Sequence, residues 1–192
     1  MTTPSLPRES SPRDAAPRLR RADLADVPAL EALIAASAIG LGVPDYTPRQ
    51  IAAALEGVFG VDRQLIEDGT YFVAERHGQL IGCGGWSRRA TLFGSDAFAR
   101  RDPRTLDPGT EPARIRAFFV HPDHARAGVG RRLLRRCEEE ARRAGFTRME
   151  LMATLPGVPF YAAHGYGAGE AIEHPLPGAE PMRLVPMRKT LA

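Results

Sequence analysis

The sequence predicts a mixed α/β fold: a twisted, mostly antiparallel sheet with helices on both faces and one parallel strand pair inside it. Three observations predict it. Residues 115–153 read as strand, long helix, strand, a unit whose length demands parallel pairing through a right-handed crossover. Residues 71–87 read as two strands about a tight turn, an antiparallel hairpin. Met182 to Met187 adds a closing strand. At 192 residues, 43% hydrophobic and 26% charged, the chain has the size and balance of one globular domain.

The elements follow in order. The first residues, to Arg18, are rich in Pro, Ser, Arg and Asp and lack periodicity. Residues 1–17 are therefore expected to be a disordered tail, and residues 18–192 the domain. Leu19 to Ala22 reads as a first strand. Asp23 and Asp26 are N-cap candidates for a first helix with Pro28 in its first turn and Val27, Leu30, Leu33 and Ile34 as its apolar stripe. The stripe fades by Gly40 and Gly42. Thr47, Pro48 and Gln50 form a capping box with Pro at the first helical position, followed by Ile51, Ala54, Leu55 and Val58 on one face. Asp62 is expected to cap a further turn through Leu65 and Ile66.

In the hairpin, Tyr71 to Glu75 and Leu80 to Ser87 are the strands. Gly82, Gly84 and Gly85 mark a weakened strand, a bulge or a close backbone approach. Trp86, the only tryptophan, suits the core or a substrate contact. Ala90 to Ala113 is too long for a plain connector and reads either as a lid or substrate wall or as surface packing.

The densest signal runs from Arg114 to Gly145. The strand Ile115 to Val120 stops at His121, because Pro122 lacks a backbone donor. Gly128 and Gly130 permit close approach where the next helix starts. Val129, Leu133, Leu134, Cys137 and Ala141 repeat near every 3.6 residues and form its buried face. Arg135 with Glu139, Arg136 with Glu140 and Glu138 with Arg142 are expected pairs on the outer face, and Gly145 ends the helix. A helix start with free N–H groups, glycines and arginines suits an anion, most often phosphate. An ordinary capped connection fits the same residues. Phe146 to Ala153 is the next strand, and Pro159 opens a short helix carrying Phe160 and Tyr161 that ends at Gly165.

Composition excludes some functions. The net charge is +3, and the arginines are interleaved with Asp and Glu, so no one-sided basic face suits a nucleic acid. No apolar run is expected to reach the ~20 residues of a membrane span, and no signal peptide is evident, so no membrane partner is expected and a cytoplasmic location is. Cys83 and Cys137 read as buried thiols. His121-Pro122-Asp123-His124 lacks an evident third ligand, so no metal is expected.

Val120-His121-Pro122-Asp123 followed by Arg126-Ala127-Gly128-Val129-Gly130-Arg131-Arg132-Leu133-Leu134 resembles the acetyl-CoA motif of the GNAT acyltransferases. Phe160-Tyr161-Ala162-Ala163-His164-Gly165-Tyr166 resembles the later F-Y-x-x-x-G-F/Y motif of that family. The resemblance covers about residues 18–190 and implies a three-layer α/β/α fold whose sheet splays at its two central parallel strands. It implies acetyl-CoA as co-substrate, with Phe118, Phe119 and Val120 at the acetyl and pantetheine groups. The N–H groups of Arg126, Ala127, Gly128, Val129, Gly130 and Arg131 would hold the pyrophosphate, with charge from Arg131 or Arg132. Tyr161 takes the position of the general acid. The implied reaction is direct acetyl transfer to a primary amine of a small molecule, amino acid or peptide. Trp86, Arg116 and Glu111 are the candidate acceptor contacts, and a homodimer stays open. A CoA-binding sensor without catalysis is the alternative. The sequence departs from the family pattern at Ala125, where Gln or Arg is usual, and at Leu155-Pro156-Gly157, where an Asn commonly precedes the Tyr helix. It also carries Arg114 and Arg116, and no Glu, on the strand where some members keep a base.

Overall fold

The computed structural model describes residues 16–97, 102 and 104–191, so most of the expected N-terminal tail lies outside the described residues. Within these, eight strands form one sheet: β1 (Arg18–Arg21), β2 (Tyr71–Arg76), β3 (Gln79–Ser87), β4 (Ala113–Val120), β5 (Arg148–Thr154), β6 (Gly167–Ala168), β7 (Ile172–Leu176) and β8 (Ala179–Thr190). The spatial order is β1-β2-β3-β4-β5-β8-β6, with β7 also paired to β8. Only β4 and β5 run parallel. The helices are α1 (Val27–Gly42), α2 (Pro48–Leu55), α3 (Arg63–Glu67), α4 (Val129–Arg143) and α5 (Val158–Ala163).

Each sheet face has its own core. The five apolar positions predicted for α4 are all buried, against Phe72, Ile115, Phe146 and Leu151. On the other face α1 and α2 bring Leu30, Leu33, Ile34, Ile51 and Ala54 against Tyr71, Val73 and Met182. Together with the 3₁₀ turn before α1, Leu24–Gly42 is 19 residues with a mean hydropathy of 1.6, enough to cross a membrane by length and composition. This corrects the expectation that no run reaches that length. Asp26 and Glu31 break the run in the sequence, and the stripe through Leu30, Leu33 and Ile34 packs on the sheet.

Local chemistry sets the element ends. The Thr47 hydroxyl accepts from the Gln50 N–H, and the Gln50 side chain accepts from the Thr47 N–H, so α2 starts where its capping box predicts. Asp23 and Asp26 make the same reciprocal box on the 3₁₀ turn. Asp62 differs: it precedes α3 without capping it, and its carboxylate lies 2.7 Å from Arg116. A charge-assisted bond to a buried guanidinium outweighs a bond to one backbone N–H. Glu138 also differs. It accepts from Lys189 at 2.9 Å and from the Tyr166 hydroxyl at 3.0 Å, partners from the strand and turn that close over α4, in place of Arg142. The exposed pairs Arg135–Glu139 and Arg136–Glu140 form as expected, each at 2.7 Å. β6 and β7 replace expected polar loops, and β8 is longer than expected at 12 residues. Backbone pairing to a long strand does not need apolar alternation, so their polar sequences hid them.

The parallel pairing of β4 with β5 is short. It joins Ala113 to Met149 and Arg114 to Glu150, and beyond these positions the two strands part. Buried Glu150 staples the base of the gap, accepting from Arg114 on β4 and from Arg188 on β8. Removing it leaves the half-buried Arg114 guanidinium without its carboxylate. Glu150→Ala is expected to cost about 3 kcal/mol of unfolding free energy, read by urea denaturation. A loss under about 0.5 kcal/mol would show that water replaces the carboxylate.

Both cysteines are fully enclosed. Burial pushes the Cys83 thiol up to about 12 and that of Cys137 higher still. An acid whose value is raised keeps its proton longer, so neither thiolate forms near neutral pH. No reaction with a thiol reagent at pH 8 is expected in the native state, and two thiols should react in denaturant.

Candidate active site

The parted strands open into a cleft of about 1250 Å³. It passes through the sheet. Phe118, Val120, Phe160 and Tyr161 line it from the α4 side, and Ala38, Phe59, Phe93 and Met152 line it from the α1 side. Its wall along β4 has the edge that β5 leaves unpaired after Arg114.

A bulge sets which β4 side chains face which half. Gly85 pairs with Arg116 and Cys83 with Phe119, so Ala117 and Phe118 together oppose Gly84. Ala117 takes a φ of 48°, unusual for a residue with a Cβ. Its carbonyl accepts from the buried Tyr71 hydroxyl at 3.1 Å, which holds that conformation. The extra residue shifts the alternation: Arg116 and Ala117 both turn to the α1 side, and Phe118 and Val120 turn to the α4 side. Gly84 makes room, since a Cβ there would lie 2.3 Å from the Phe118 ring.

The loop after β4 winds into α4. The Arg126 backbone is left-handed at φ 61°, as is that of the N-cap Gly128 at φ 78°. Among the described residues, no protein acceptor takes the N–H groups of Arg126, Gly128, Val129, Gly130 or Arg131. The Ala127 N–H is spent on the His124 carbonyl and the Arg132 N–H on the Gly128 carbonyl. Unengaged donors, a helix N-terminus and the Arg126 and Arg131 side chains converge on one end of the cleft, an arrangement whose chemistry suits an anion. Gly130 lets the Phe160 ring close on the first turn of α4; an added Cβ would sit 3.2 Å from it. The backbone of Val129 belongs to this array, but its side chain is core, and Arg132 does not line the cleft.

Tyr161 stands on α5 and lines the cleft, with its ring 6.1 Å from that of Phe118 and 5.6 Å from that of Tyr166. Among the described residues its hydroxyl makes no hydrogen bond. Burial pushes its ionisation well above that of an ordinary phenol, so the group holds its proton as a donor. The nearby Tyr46 hydroxyl, raised to about 12 by burial, is structural: it donates to the Arg183 carbonyl at 2.7 Å and accepts from the Leu155 N–H at 2.8 Å.

Of the three expected acceptor contacts, only Arg116 lines the cleft. It is buried, paired with Asp62 at 2.7 Å and donating to the Gly94 carbonyl at 2.6 Å, so it does not face solvent. Trp86 pairs with Ile115 on β4, and its ring turns away from the cleft to pack edge-on to Phe146 in the α4-side core. Glu111 lies away from the cleft. Hydrogen bonds from Arg104 and the Asp107 N–H hold it down to about 2 and lock a surface turn. Leu92, Phe93 and Gly94, from the long loop after β3, do line the cleft, as do Val58, Phe59 and Gly60 after α2. The Ser95 hydroxyl ties the two segments by donating to the Gly57 carbonyl at 2.7 Å. Residues 98–101 and 103 of the loop expected as a lid lie outside the described residues. Phe59 and Phe93 were missed in the sequence because isolated aromatics in irregular segments carry no periodic signal. His121 serves the turn after β4, its ring nitrogen accepting from the Asp123 N–H.

The splayed mixed sheet, with a glycine-bearing helix start at its gap, is a distinctive architecture, and comparison with known proteins gives its class. Residues 43–166, well over half of the chain, match the family model "Acetyltransferase (GNAT) family". The chain belongs to the GNAT acetyltransferase family, and its activity class is acyl transfer. Comparison with curated protein sequences gives no match. Solved structures share the fold. A GCN5-related N-acetyltransferase from Rhodopseudomonas palustris is 22% identical, with a TM-score of 0.66 over 92% of this chain and 97% of that one. The PaiA N-acetyltransferase from Thermoplasma acidophilum, in complex with coenzyme A, is 13% identical, with a TM-score of 0.62 over 92% and 99%. YncA from Salmonella typhimurium, with its cofactor acetyl-CoA, is 18% identical, with a TM-score of 0.61 over 93% and 95%.

The bulge gives a direct test of the geometry. Gly84→Ala is expected to cost about 1–3 kcal/mol by driving a methyl into the Phe118 ring, measured as a drop in the denaturation midpoint. A variant as stable as the parent would show that Phe118 moves freely.

Proposed function

We propose that the protein is an acetyl-CoA-dependent N-acetyltransferase that moves an acetyl group directly to a primary amine. The observation that carries this reading is the unpaired edge of β4 leading to five unengaged N–H groups at the start of α4. That array fits a pyrophosphate, and the strand edge offers backbone partners for an amide-bearing arm. The coenzyme A and acetyl-CoA in the Thermoplasma and Salmonella structures support the same ligand here.

In this reading Arg126 and Arg131 add charge at the pyrophosphate, and Phe118 and Val120 border the thioester. Holding both reactants in one cleft supplies much of the rate, on the order of 7–11 kcal/mol for well-aligned groups. The neutral amine nitrogen bonds to the acyl carbon, the C–S bond breaks and its electron pair stays on sulfur. The sulfur takes a proton from the Tyr161 hydroxyl, and solvent takes the proton that the amine gives up. Tyr161 recovers its proton from solvent. Burial keeps the phenol protonated at neutral pH, so its hydroxyl is available as a donor to a thiolate formed beside it.

Tyr161→Phe is expected to lower kcat about 100-fold while the acetyl-CoA dissociation constant stays within about twofold, read by thiol release and by calorimetry. Unchanged kcat removes Tyr161 from the mechanism. Because burial raises its ionisation, no alkaline loss of activity from Tyr161 is expected below about pH 10. A falling limb between pH 7 and 9 that disappears in Tyr161→Phe would contradict this assignment.

A further inference from the structure

The two halves of the cleft differ in chemistry. The α4 half carries Arg126, Arg131 and the unengaged N–H groups. The α1 half is apolar, walled by Leu41, Val58, Phe59, Phe93, Phe119 and Met152. No Asp or Glu lines any part of the cleft among the described residues. Most polar groups in the α1 half are committed to the protein. The Ser37 hydroxyl accepts from the Val120 N–H at 3.3 Å. The Tyr46 hydroxyl both donates and accepts within the protein. The charge of Arg116 is matched by Asp62. Thr154 is the polar side chain left there.

From this we infer that the acceptor is an apolar amine that is uncharged at neutral pH, of the arylamine class; the inference rests on the acetyl-transfer reading of the cleft. Three arguments carry it. An ammonium group in an apolar wall needs a counter-charge to offset its desolvation, and among the described residues the lining holds no carboxylate. An acceptor with its own carboxylate would need an uncommitted cation, and Arg116 is held by Asp62 and the Gly94 carbonyl. No carboxylate in the lining is placed to deprotonate an alkylammonium before attack, whereas an arylamine already has its lone pair free. The Phe59 and Phe93 rings offer faces and edges to an aromatic body, and the Thr154 hydroxyl can accept from an uncharged N–H. The transfer is balanced as above: the arylamine nitrogen gains the acetyl carbon and loses one proton to solvent, and the CoA sulfur gains one from Tyr161.

The test is thiol release from acetyl-CoA with four acceptors: 4-ethylaniline, phenethylamine, spermidine and glutamate. Acetyl-CoA binding is followed separately by thermal shift. The expected result is a kcat/KM for 4-ethylaniline at least about tenfold above the others at pH 7, flat between pH 6 and 9. Phenethylamine should rise about tenfold per pH unit as its neutral fraction grows. Phe93→Ala should raise the KM for 4-ethylaniline about tenfold and leave the KM for acetyl-CoA unchanged. Faster turnover of phenethylamine, spermidine or glutamate at pH 7 overturns the acceptor class and leaves the acetyl-transfer reading standing. Acetyl-CoA binding without turnover of 4-ethylaniline also overturns the acceptor class. Absence of any acetyl-CoA thermal shift overturns the acetyl-transfer reading itself, and the inference with it.

Discussion

The structure depends on where β4 and β5 stop pairing. Two register positions join them, and then each strand goes its own way. Unpaired edges inside a sheet are costly, because their N–H and C=O groups lose partners. This one is sustained from both ends. Glu150 binds arginines from β4 and β8 at the base, and the bulge at Ala117 turns the far half of β4 away. The cleft, the strand edge and the position of Tyr161 all follow from that separation.

The same device sorts the cleft chemically. One inserted residue in β4 puts Arg116 and Ala117 on one face and Phe118 and Val120 on the other. Without it the strict alternation of a strand would send the residues beyond the bulge to the opposite faces. The half with the unengaged N–H groups then lies by α4 and α5, and the apolar half by α1, the segment after α2 and the loop after β3.

The buried Arg116–Asp62 pair connects the apolar walls. It joins β4 to the segment before α3, and the bond to the Gly94 carbonyl adds the loop after β3. Desolvating both ions offsets much of their attraction, so the pair contributes more to geometry than to stability. Exposed pairs on α4, such as Arg135–Glu139, are worth only about 0.3–0.5 kcal/mol each. The buried face of that helix outweighs them many times over, at ~1.5–3 kcal/mol per large apolar side chain.

The sequence by itself determined the regular elements with strong periods and caps. The buried face of α4, the capping box of α2 and the hairpin of β2 and β3 all stood where spacing and turn chemistry placed them. The glycines of the loop before α4 and the Tyr helix were also readable, because local conformation and motif order carry them. Tertiary structure alone decided the partners that arrive from distant segments. Asp62 left its expected cap for Arg116, and Glu138 left Arg142 for Lys189 and Tyr166. It also decided that Trp86 and Glu111 stand outside the cleft, while Phe59 and Phe93 stand inside. The physical reason is range. Periodicity and capping act within a few residues along the chain, whereas the walls of a cleft come from segments brought together only when the sheet is assembled and a bulge has set its phase.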